Sequence, residues 1–71
     1  MKEYLVVFEW TGSNYSAYVP DLPGCVTTGK TLEETERNIQ EAISLYLDTL
    51  REEGKPLPEA TTKAKPVSVA A

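Results

Sequence analysis

The connector Pro20–Gly24, "PDLPG", constrains the fold more than any other stretch, because it places two prolines and a glycine within five residues. Each proline fixes its own φ angle and pushes the preceding residue out of the helical region. Pro20 also lacks an N–H for a sheet ladder, so it must lie at a strand end or an edge. Regular structure is therefore expected to stop at Val19 and to resume, in a new direction, at Cys25.

Strands are predicted on both sides of this connector. Residues Tyr4–Trp10, "YLVVFEW", are β-branched, aromatic and aliphatic, and their continuous apolarity predicts a central strand with both faces covered. The following "TGSN" supplies a hairpin turn, since Gly12 and Asn14 tolerate positive φ angles. The chain then returns as Tyr15–Val19, and Cys25–Gly29 forms a short third strand.

One long helix is predicted from Leu32 to Glu53. Thr31 and Glu34 fit a capping box, in which each side chain accepts a hydrogen bond from the other residue's backbone N–H. Gly54 matches the left-handed residue that ends a helix, and the prolines beyond it prevent the helix from resuming. Apolar residues recur at helical spacing and form one stripe that must lie on the sheet. The stripe comprises Leu32, Thr35, Ile39, Ala42, Ile43, Tyr46, Leu47 and Leu50.

The end of the chain predicts one more strand. Val67 and Val69 alternate with Ser68, so a short strand is expected within residues 66–69. The whole chain, residues 1–71, is then a single α+β domain, with an antiparallel three-stranded sheet plus a short fourth strand packed against one helix (βββαβ). If the last strand ran parallel to the first, the helix would be their right-handed crossover. Its shortness leaves exchange of this strand between subunits open.

Composition narrows the classes of function. Eleven acidic and seven basic residues give a net charge of -4, which disfavours nucleic acid as a partner and favours a basic protein. The absence of histidine removes the commonest general base and metal ligand. The chain has one cysteine, no signal peptide and no apolar run near the ~20 residues of a membrane span. We therefore expect a cytoplasmic protein. We also expect it to self-associate as a dimer or tetramer, because a domain this small buries only roughly 60 % of the surface that its unfolded chain exposes.

Residues Tyr15–Ile43, "YSAYVPDLPGCVTTGKTLEETERNIQEAI", resemble the HicB-type antitoxins. The resemblance extends over residues 1–59 and leaves residues 60–71 as a C-terminal segment outside it. It departs from the family pattern at Thr35, where the family usually has alanine, and we expect only altered packing there. The matching positions are Tyr15, Pro20, Asp21, Leu22, Pro23, Gly24, Cys25, Gly29, Thr31, Glu33, Glu34, Asn38 and Glu41–Ile43.

The resemblance implies a partial ribonuclease-H-like fold and a role in binding and silencing a small basic HicA-type toxin, an RNA-cleaving protein. A typical family member also carries a C-terminal DNA-binding domain. The sequence reaches Ala71 without such a domain, and the resemblance therefore leaves operator binding and autoregulation open. An orphan oligomer without a toxin and a nucleic-acid-binding module remain the alternatives.

Three carboxylates are the candidates for contact with a basic partner: Asp21, Glu33 and Glu36. Asp21 lies between two prolines and also suits a turn, in which it would accept hydrogen bonds from backbone amides two residues on. The same carboxylates, with Glu34, suggest a metal-dependent nuclease. However, the three glutamates point in different directions around a helix, so no catalytic, cofactor-binding or metal-binding residue is predicted, and the chain is not expected to be an enzyme.

Other conspicuous residues have structural interpretations. Cys25 has neither a histidine to activate it nor a second cysteine to resolve it, so it is predicted to be a small buried residue after the turn. Asn38 lies between two stripe residues and is predicted to bond to the Pro-Asp turn and so lock the connector to the helix. Five aromatic residues could stack on nucleic acid, but the net charge favours core packing or a subunit interface. They are Tyr4, Trp10, Tyr15, Tyr18 and Tyr46.

Overall fold

The computed structural model describes residues 2–71, and it has two layers. Three strands, β1 (Val7–Trp10), β2 (Tyr15–Tyr18) and β3 (Val26–Gly29), precede one helix, α1 (Leu32–Glu52). The strands form an antiparallel sheet in the order β1-β2-β3, and α1 packs on one face of it. The predicted α+β architecture is thereby confirmed in the form βββα.

The first strand lies at an edge of the sheet, so its prediction as a central strand was wrong. Strand β2 is central instead, because Tyr18 pairs with Val7 on one side and with Val26 on the other. Strand β1 carries apolar side chains on both faces of the sheet, although the two faces have different surroundings. Phe8 packs against the core under the helix, whereas Val7 points to the opposite face of the sheet, as alternation along a strand requires.

The observed strands are shorter than the predicted ones. Strand β1 begins at Val7 rather than at Tyr4, β2 ends at Tyr18 rather than at Val19, and β3 begins at Val26 rather than at Cys25. These end residues still pack inward, since Val19 and Cys25 are buried and Tyr4 contacts the core. The apolar pattern therefore located core residues correctly but extended the strands beyond their paired backbone.

The start of α1 differs from the predicted capping box in one bond. The hydroxyl of Thr31 accepts from the N–H of Glu34 at 3.0 Å, as expected. The carboxylate of Glu34, however, accepts from the N–H of Lys30 at 2.6 Å rather than from that of Thr31. Both side chains still stabilise the helix start, because each satisfies a backbone donor at the N-terminus.

The C-terminus of α1 forms a Schellman motif. Gly54 has a φ angle of 69°, and its N–H donates to the carbonyl of Arg51 at 3.0 Å. The N–H of Lys55 donates to the carbonyl of Leu50 at 2.9 Å. This pair of bonds defines the motif and confirms the predicted role of Gly54, with α1 ending at Glu52, one residue before the predicted end.

The helix approaches β3 closely at Gly29. A Cβ atom at this position would lie 2.8 Å from the backbone nitrogen of Thr35 and 3.0 Å from its Cα atom. Thr35 is fully buried there, and its hydroxyl donates to the carbonyl of Thr31 at 2.7 Å. Glycine is therefore required at residue 29 by space, and Thr35 satisfies its own hydroxyl within the helix.

The described residues 2–71 contain three strands and do not show the predicted fourth one. Residues 66–69 form no strand within the described residues 2–71, and Val67 and Val69 are 77 % and 80 % exposed. The segment before them is held at the end of the sheet, where the hydroxyl of Tyr4 donates to the carbonyl of Pro58 at 2.6 Å. Pro66 also lacks a ladder donor. We call residues 63–71, all of them exposed, the tail.

Helix α1 is too polar to cross a bilayer, and no other helix occurs in residues 2–71.

Candidate partner-binding surface

The connector Pro20–Gly24 is closed by backbone hydrogen bonds and inserts one side chain into the core. The N–H of Leu22 donates to the carbonyl of Val19 at 3.0 Å, and the N–H of Cys25 donates to that of Leu22 at 3.0 Å. Gly24 takes a φ angle of 82°. Leu22 is completely buried, so the connector is part of the core as well as a turn.

Cys25 is a buried thiol without a chemical partner. It is 3 % exposed, and burial raises the pKa of its thiol above the ordinary value. The protonated form is therefore favoured, which is the opposite of what a nucleophilic cysteine requires. In residues 2–71 no group of three or more carboxylate or thiol side chains is arranged to hold a metal ion.

Asp21 binds a distant segment of its own chain. Its Oδ2 atom accepts from the backbone N–H groups of Thr61 and Thr62, each at 3.0 Å. Its Oδ1 atom accepts from both threonine hydroxyls, at 3.2 Å and 2.6 Å respectively. The bond from the Thr62 hydroxyl is the largest cause that lowers the pKa of this carboxyl. We call this arrangement the Asp21 clamp.

The Asp21 clamp replaces the hydrogen bonds predicted for Asp21. We expected a turn in which Asp21 accepts from amides two residues on, but its hydrogen bonds within residues 2–71 go to Thr61 and Thr62. A contact between Asp21 and a partner stays a prediction. The sequence pattern predicts no role for either threonine. Their adjacency in "EATTK" is the one signal that could have suggested this site, because it places several hydrogen-bond donors side by side.

Glu33 and Glu36 present unpaired carboxylates at the start of α1. Both are exposed, and the two ion pairs found among residues 2–71 lie at the other end of the helix, joining Arg51 to Asp48 and Lys55 to Glu53. The start of a helix favours negative charge because of its dipole. Their predicted contact with a partner stays a prediction, and their charges remain available for one.

Asn38 bonds to β3 rather than to the Pro-Asp turn, so the predicted partner of its side chain was wrong. Its Nδ2 atom donates to the carbonyl of Thr28 at 2.9 Å. This carbonyl belongs to an edge strand, and the bond satisfies one acceptor that would otherwise face solvent. Asn38 therefore fixes the helix to the third strand and not to the connector.

The aromatic residues do not form one stacking platform. Trp10 and Tyr15 form an edge-to-face pair with ring centroids 5.1 Å apart, across the end of the β1–β2 ladder. Tyr4 and Tyr46 pack against the core, whereas Tyr18 lies on the opposite face of the sheet. Core packing is therefore confirmed for Tyr4 and Tyr46, whereas Trp10 and Tyr18 are exposed.

An open groove runs between β1 and the flank of α1 that carries Glu36, with a volume of about 790 Å³. Its apolar floor contains Phe8 and Ile43, and Glu3 and Glu36 lie on its rim. We call it the β1 groove. It exists because the helix lies over β2 and β3, which leaves the inward side chains of the first strand partly uncovered.

The face of the sheet opposite the helix carries an apolar row. Val7, Tyr18 and Val26 are direct neighbours across the three strands. Tyr18 is 39 % exposed and Val26 is 63 % exposed. No local sequence pattern predicts this row, because it depends on the pairing register, which brings together residues that are separated by turns.

Charge is divided unevenly along the chain. All eleven carboxylates lie in residues 1–59 with five of the seven basic residues, which gives this part a net charge of -6. Lys63 and Lys65 lie in the tail without an acidic neighbour and give residues 60–71 a charge of +2. The body of the protein is therefore an acidic surface and the tail a short basic one.

Comparison with known proteins gives a consistent result. A family model described as "HicB_like antitoxin of bacterial toxin-antitoxin system" matches residues 4–69. A UPF0150 protein of Synechocystis is 44 % identical over 55 residues, which are 78 % of this chain and 70 % of that protein. A UPF0150 protein of Helicobacter pylori is 54 % identical over 44 residues, which are 62 % of this chain and 61 % of that protein.

A solved structure matches as well. The chain superposes on a chain of the HicA3 and HicB3 toxin-antitoxin complex with a TM-score of 0.70 and 30 % sequence identity. The match covers 84 % of this chain and 70 % of the other. Sequence and fold therefore point to the same group of proteins.

Proposed function

The chain belongs to the HicB-like antitoxins of bacterial toxin-antitoxin systems, and on that premise we propose that it binds and neutralises a small basic toxin of the HicA kind, which cleaves RNA. The observation that carries the proposal is the structural match to a chain of the HicA3 and HicB3 toxin-antitoxin complex. The match covers most of this chain at 30 % identity.

Neutralisation in this proposal is stoichiometric masking and involves no catalysis by the antitoxin. The acidic body, with a net charge of -6 over residues 1–59, attracts a cationic toxin and speeds their encounter. Glu33 and Glu36 are the proposed charged contacts, because both are exposed and no ion pair in residues 2–71 uses them. Such a complex covers the surface with which the toxin binds RNA.

The proposal places both proteins in the cytoplasm, where the RNA substrate of the toxin lies. A buried reduced thiol such as Cys25 is compatible with that compartment. The proposal also includes self-association, because a domain of 71 residues leaves a large part of its surface unburied when it folds alone.

The test is inhibition of purified toxin. A small basic protein of the HicA kind is the toxin to use, taken from the neighbouring gene where that gene encodes one, and its RNA cleavage is measured while the antitoxin is titrated at a toxin concentration well above the dissociation constant. Masking predicts a linear fall in cleavage to a sharp end point at a fixed molar ratio. Cleavage that is unchanged at molar excess in low salt, with no co-purification, would refute the proposal and leave an orphan oligomer.

A control separates masking from destruction of the toxin. After inhibition, high salt should dissociate the complex and restore full cleavage, because the interaction is largely electrostatic. Recovery of intact toxin supports masking. A toxin that stays inactive after separation would contradict it.

A further inference from the structure

The tail has the features of a strand that pairs with another chain. Val67 and Val69 are among the most exposed large apolar residues of the protein, and their alternation with Ser68 would place them on one side of a strand. The radius of gyration is 14.0 Å, compared with about 11 Å for a compact chain of this length. The tail therefore extends away from the body, with apolar side chains that its own chain does not cover.

Strand β1 offers a free edge that such a segment can use. The N–H of Thr11 donates to the carbonyl of Asn14 at 2.8 Å, and hydrogen-bonded and non-hydrogen-bonded pairs alternate along an antiparallel ladder. The backbone groups of Val7 and Glu9 therefore face β2, whereas those of Phe8 and Trp10 face outward. Of these two residues, Phe8 also lines the β1 groove.

The β1 groove and the tail also match in charge, apolarity and length. The groove has an apolar floor, and its charged lining residues are two carboxylates, those of Glu3 and Glu36, and one lysine, Lys2. The tail carries Lys63 and Lys65 before its two valines. Residues 63–69 and residues 4–10 are both seven residues long, so in extended form each spans about 23 Å.

We propose that residues 63–69 of one copy add a strand to the free edge of β1 in a second copy and lie over its β1 groove. The lysines then lie near the carboxylates of the rim, and Val67 and Val69 cover the apolar floor. The same contact made in both directions gives a closed two-fold dimer with exchanged tails. Each β1 groove is incomplete without the tail of the other copy.

The Asp21 clamp explains why the exchange occurs between copies. It holds Thr61 and Thr62 beside the connector of their own chain by four hydrogen bonds, and beyond it the tail is exposed instead of lying in its own β1 groove. The root of the tail is thus fixed, and ordering the remaining residues on a partner costs less conformational entropy than it would for a free segment.

Cross-linking of two full-length variants tests the proposal. One variant carries Val67→Cys and the other Gln40→Cys, whose position lines the β1 groove. The native Cys25 is buried and does not compete. After mild oxidation of the mixture without toxin, mass spectrometry is expected to identify a disulfide between the two variants. Its yield should be at least roughly tenfold that of a matched pair of Val67→Cys with Glu52→Cys. Tail exchange holds only the cysteines of the first pair close together, which gives them a high effective concentration for each other.

Two results would overturn the proposal: equal yields from both pairs, or an intramolecular disulfide in a single chain that carries both Val67→Cys and Gln40→Cys. A second measurement uses sedimentation of single variants. Val67→Asp should convert the dimer to a monomer, whereas Ser68→Asp, whose side chain points to the other side, should leave the dimer intact. A dimer that persists in Val67→Asp also refutes tail exchange. None of these readouts involves the toxin, so this proposal and the antitoxin function can fail separately.

Discussion

Asp21 and Thr62 are 41 residues apart in the chain, yet two hydrogen bonds join them. The carboxylate accepts from the Thr62 hydroxyl at 2.6 Å and from its backbone N–H at 3.0 Å. With two further bonds from Thr61, the contact ties the family connector to the segment that follows the helix. A single side chain therefore determines where the tail begins.

Asp21→Asn should release this segment without unfolding the domain. An asparagine amide is uncharged and keeps one acceptor oxygen in place of two, so it accepts fewer and weaker hydrogen bonds from the donors of Thr61 and Thr62 than the carboxylate does. Hydrogen exchange at the amides of Thr61 and Thr62 should therefore become much faster, while exchange at the buried Ile39 stays unchanged. Glu59→Gln is the control, since this exposed carboxylate is close in sequence to the same threonines. Equal protection of both threonines in Asp21→Asn would contradict the role of the clamp.

The Asp21 clamp should also be lost in acid. Hydrogen bonds from Thr62 and then from Thr61 lower the pKa of Asp21 below its ordinary value of 3.8. Since the folded pKa is the lower one, the contribution of the clamp is complete above the unfolded carboxyl pKa and is lost as the pH falls through the folded pKa. Amide chemical shifts of Thr61 and Thr62 should hold steady from pH 7 to about pH 5 and then titrate together. A midpoint above 3.8, or the same titration in Asp21→Asn, would refute this assignment.

Leu22→Ala should be strongly destabilising although Leu22 lies in a loop. The side chain is completely buried, and loss of a buried leucine with partial collapse of the cavity costs about 2–5 kcal/mol. Leu45→Ala is the matched control, because Leu45 is 69 % exposed and its loss should change the free energy of unfolding by less than about 0.5 kcal/mol. Urea unfolding followed by circular dichroism measures both. Similar midpoints for the two variants would show that Leu22 is not a core residue.

Gly29→Ala should destabilise the domain by about 1–3 kcal/mol through overpacking. The added methyl group would meet backbone atoms of Thr35 at 2.8 Å and 3.0 Å, and backbone cannot rotate away. Adding Thr35→Ala should therefore fail to restore the wild-type midpoint in urea. Full rescue by the second change would mean that only the threonine hydroxyl limits the approach of the helix.

Reversal of the charges at the start of α1 should weaken binding of the toxin. Glu33→Lys with Glu36→Lys is expected to slow association by roughly tenfold at low salt, because charge complementarity governs encounter rates. Glu41→Lys with Glu52→Lys is the matched control on the same helix, and its positions lie roughly 120° away around the axis at 100° per residue. Stopped-flow or surface-based kinetics would compare the pairs. Equal slowing by both would mean that overall charge matters and that this flank does not.

Local features of the fold were predicted well from the sequence. The helix, its threonine cap and its glycine end depend on neighbours within a few residues, and they were found within one residue at the C-terminus. The burial of Cys25 was also expected from the turn that precedes it. Such features are encoded by short-range spacing, which a single sequence displays directly.

Features that join distant parts of the chain were predicted poorly. Neither Thr61 nor Thr62 was connected with Asp21, because no local pattern reports a contact across forty residues. The apolar run of β1 predicts a central strand, because such a run is typical of a strand that its own chain covers on both faces. In the fold one face packs under the helix, and Val7 belongs to a row that the chain leaves open.

The burial of Leu22 has a consequence for how this protein can vary and be engineered. Any insertion between Pro20 and Cys25 would shift the anchoring leucine out of the core, so the length of this loop is fixed even though a loop is normally the tolerant part of a domain. The hairpin at Gly12 buries nothing comparable, and a Cβ there would meet no atom within 4 Å. Peptide tags and fluorescent labels are therefore best inserted in the loop of the β1–β2 hairpin, where added residues would displace no side chain from the core.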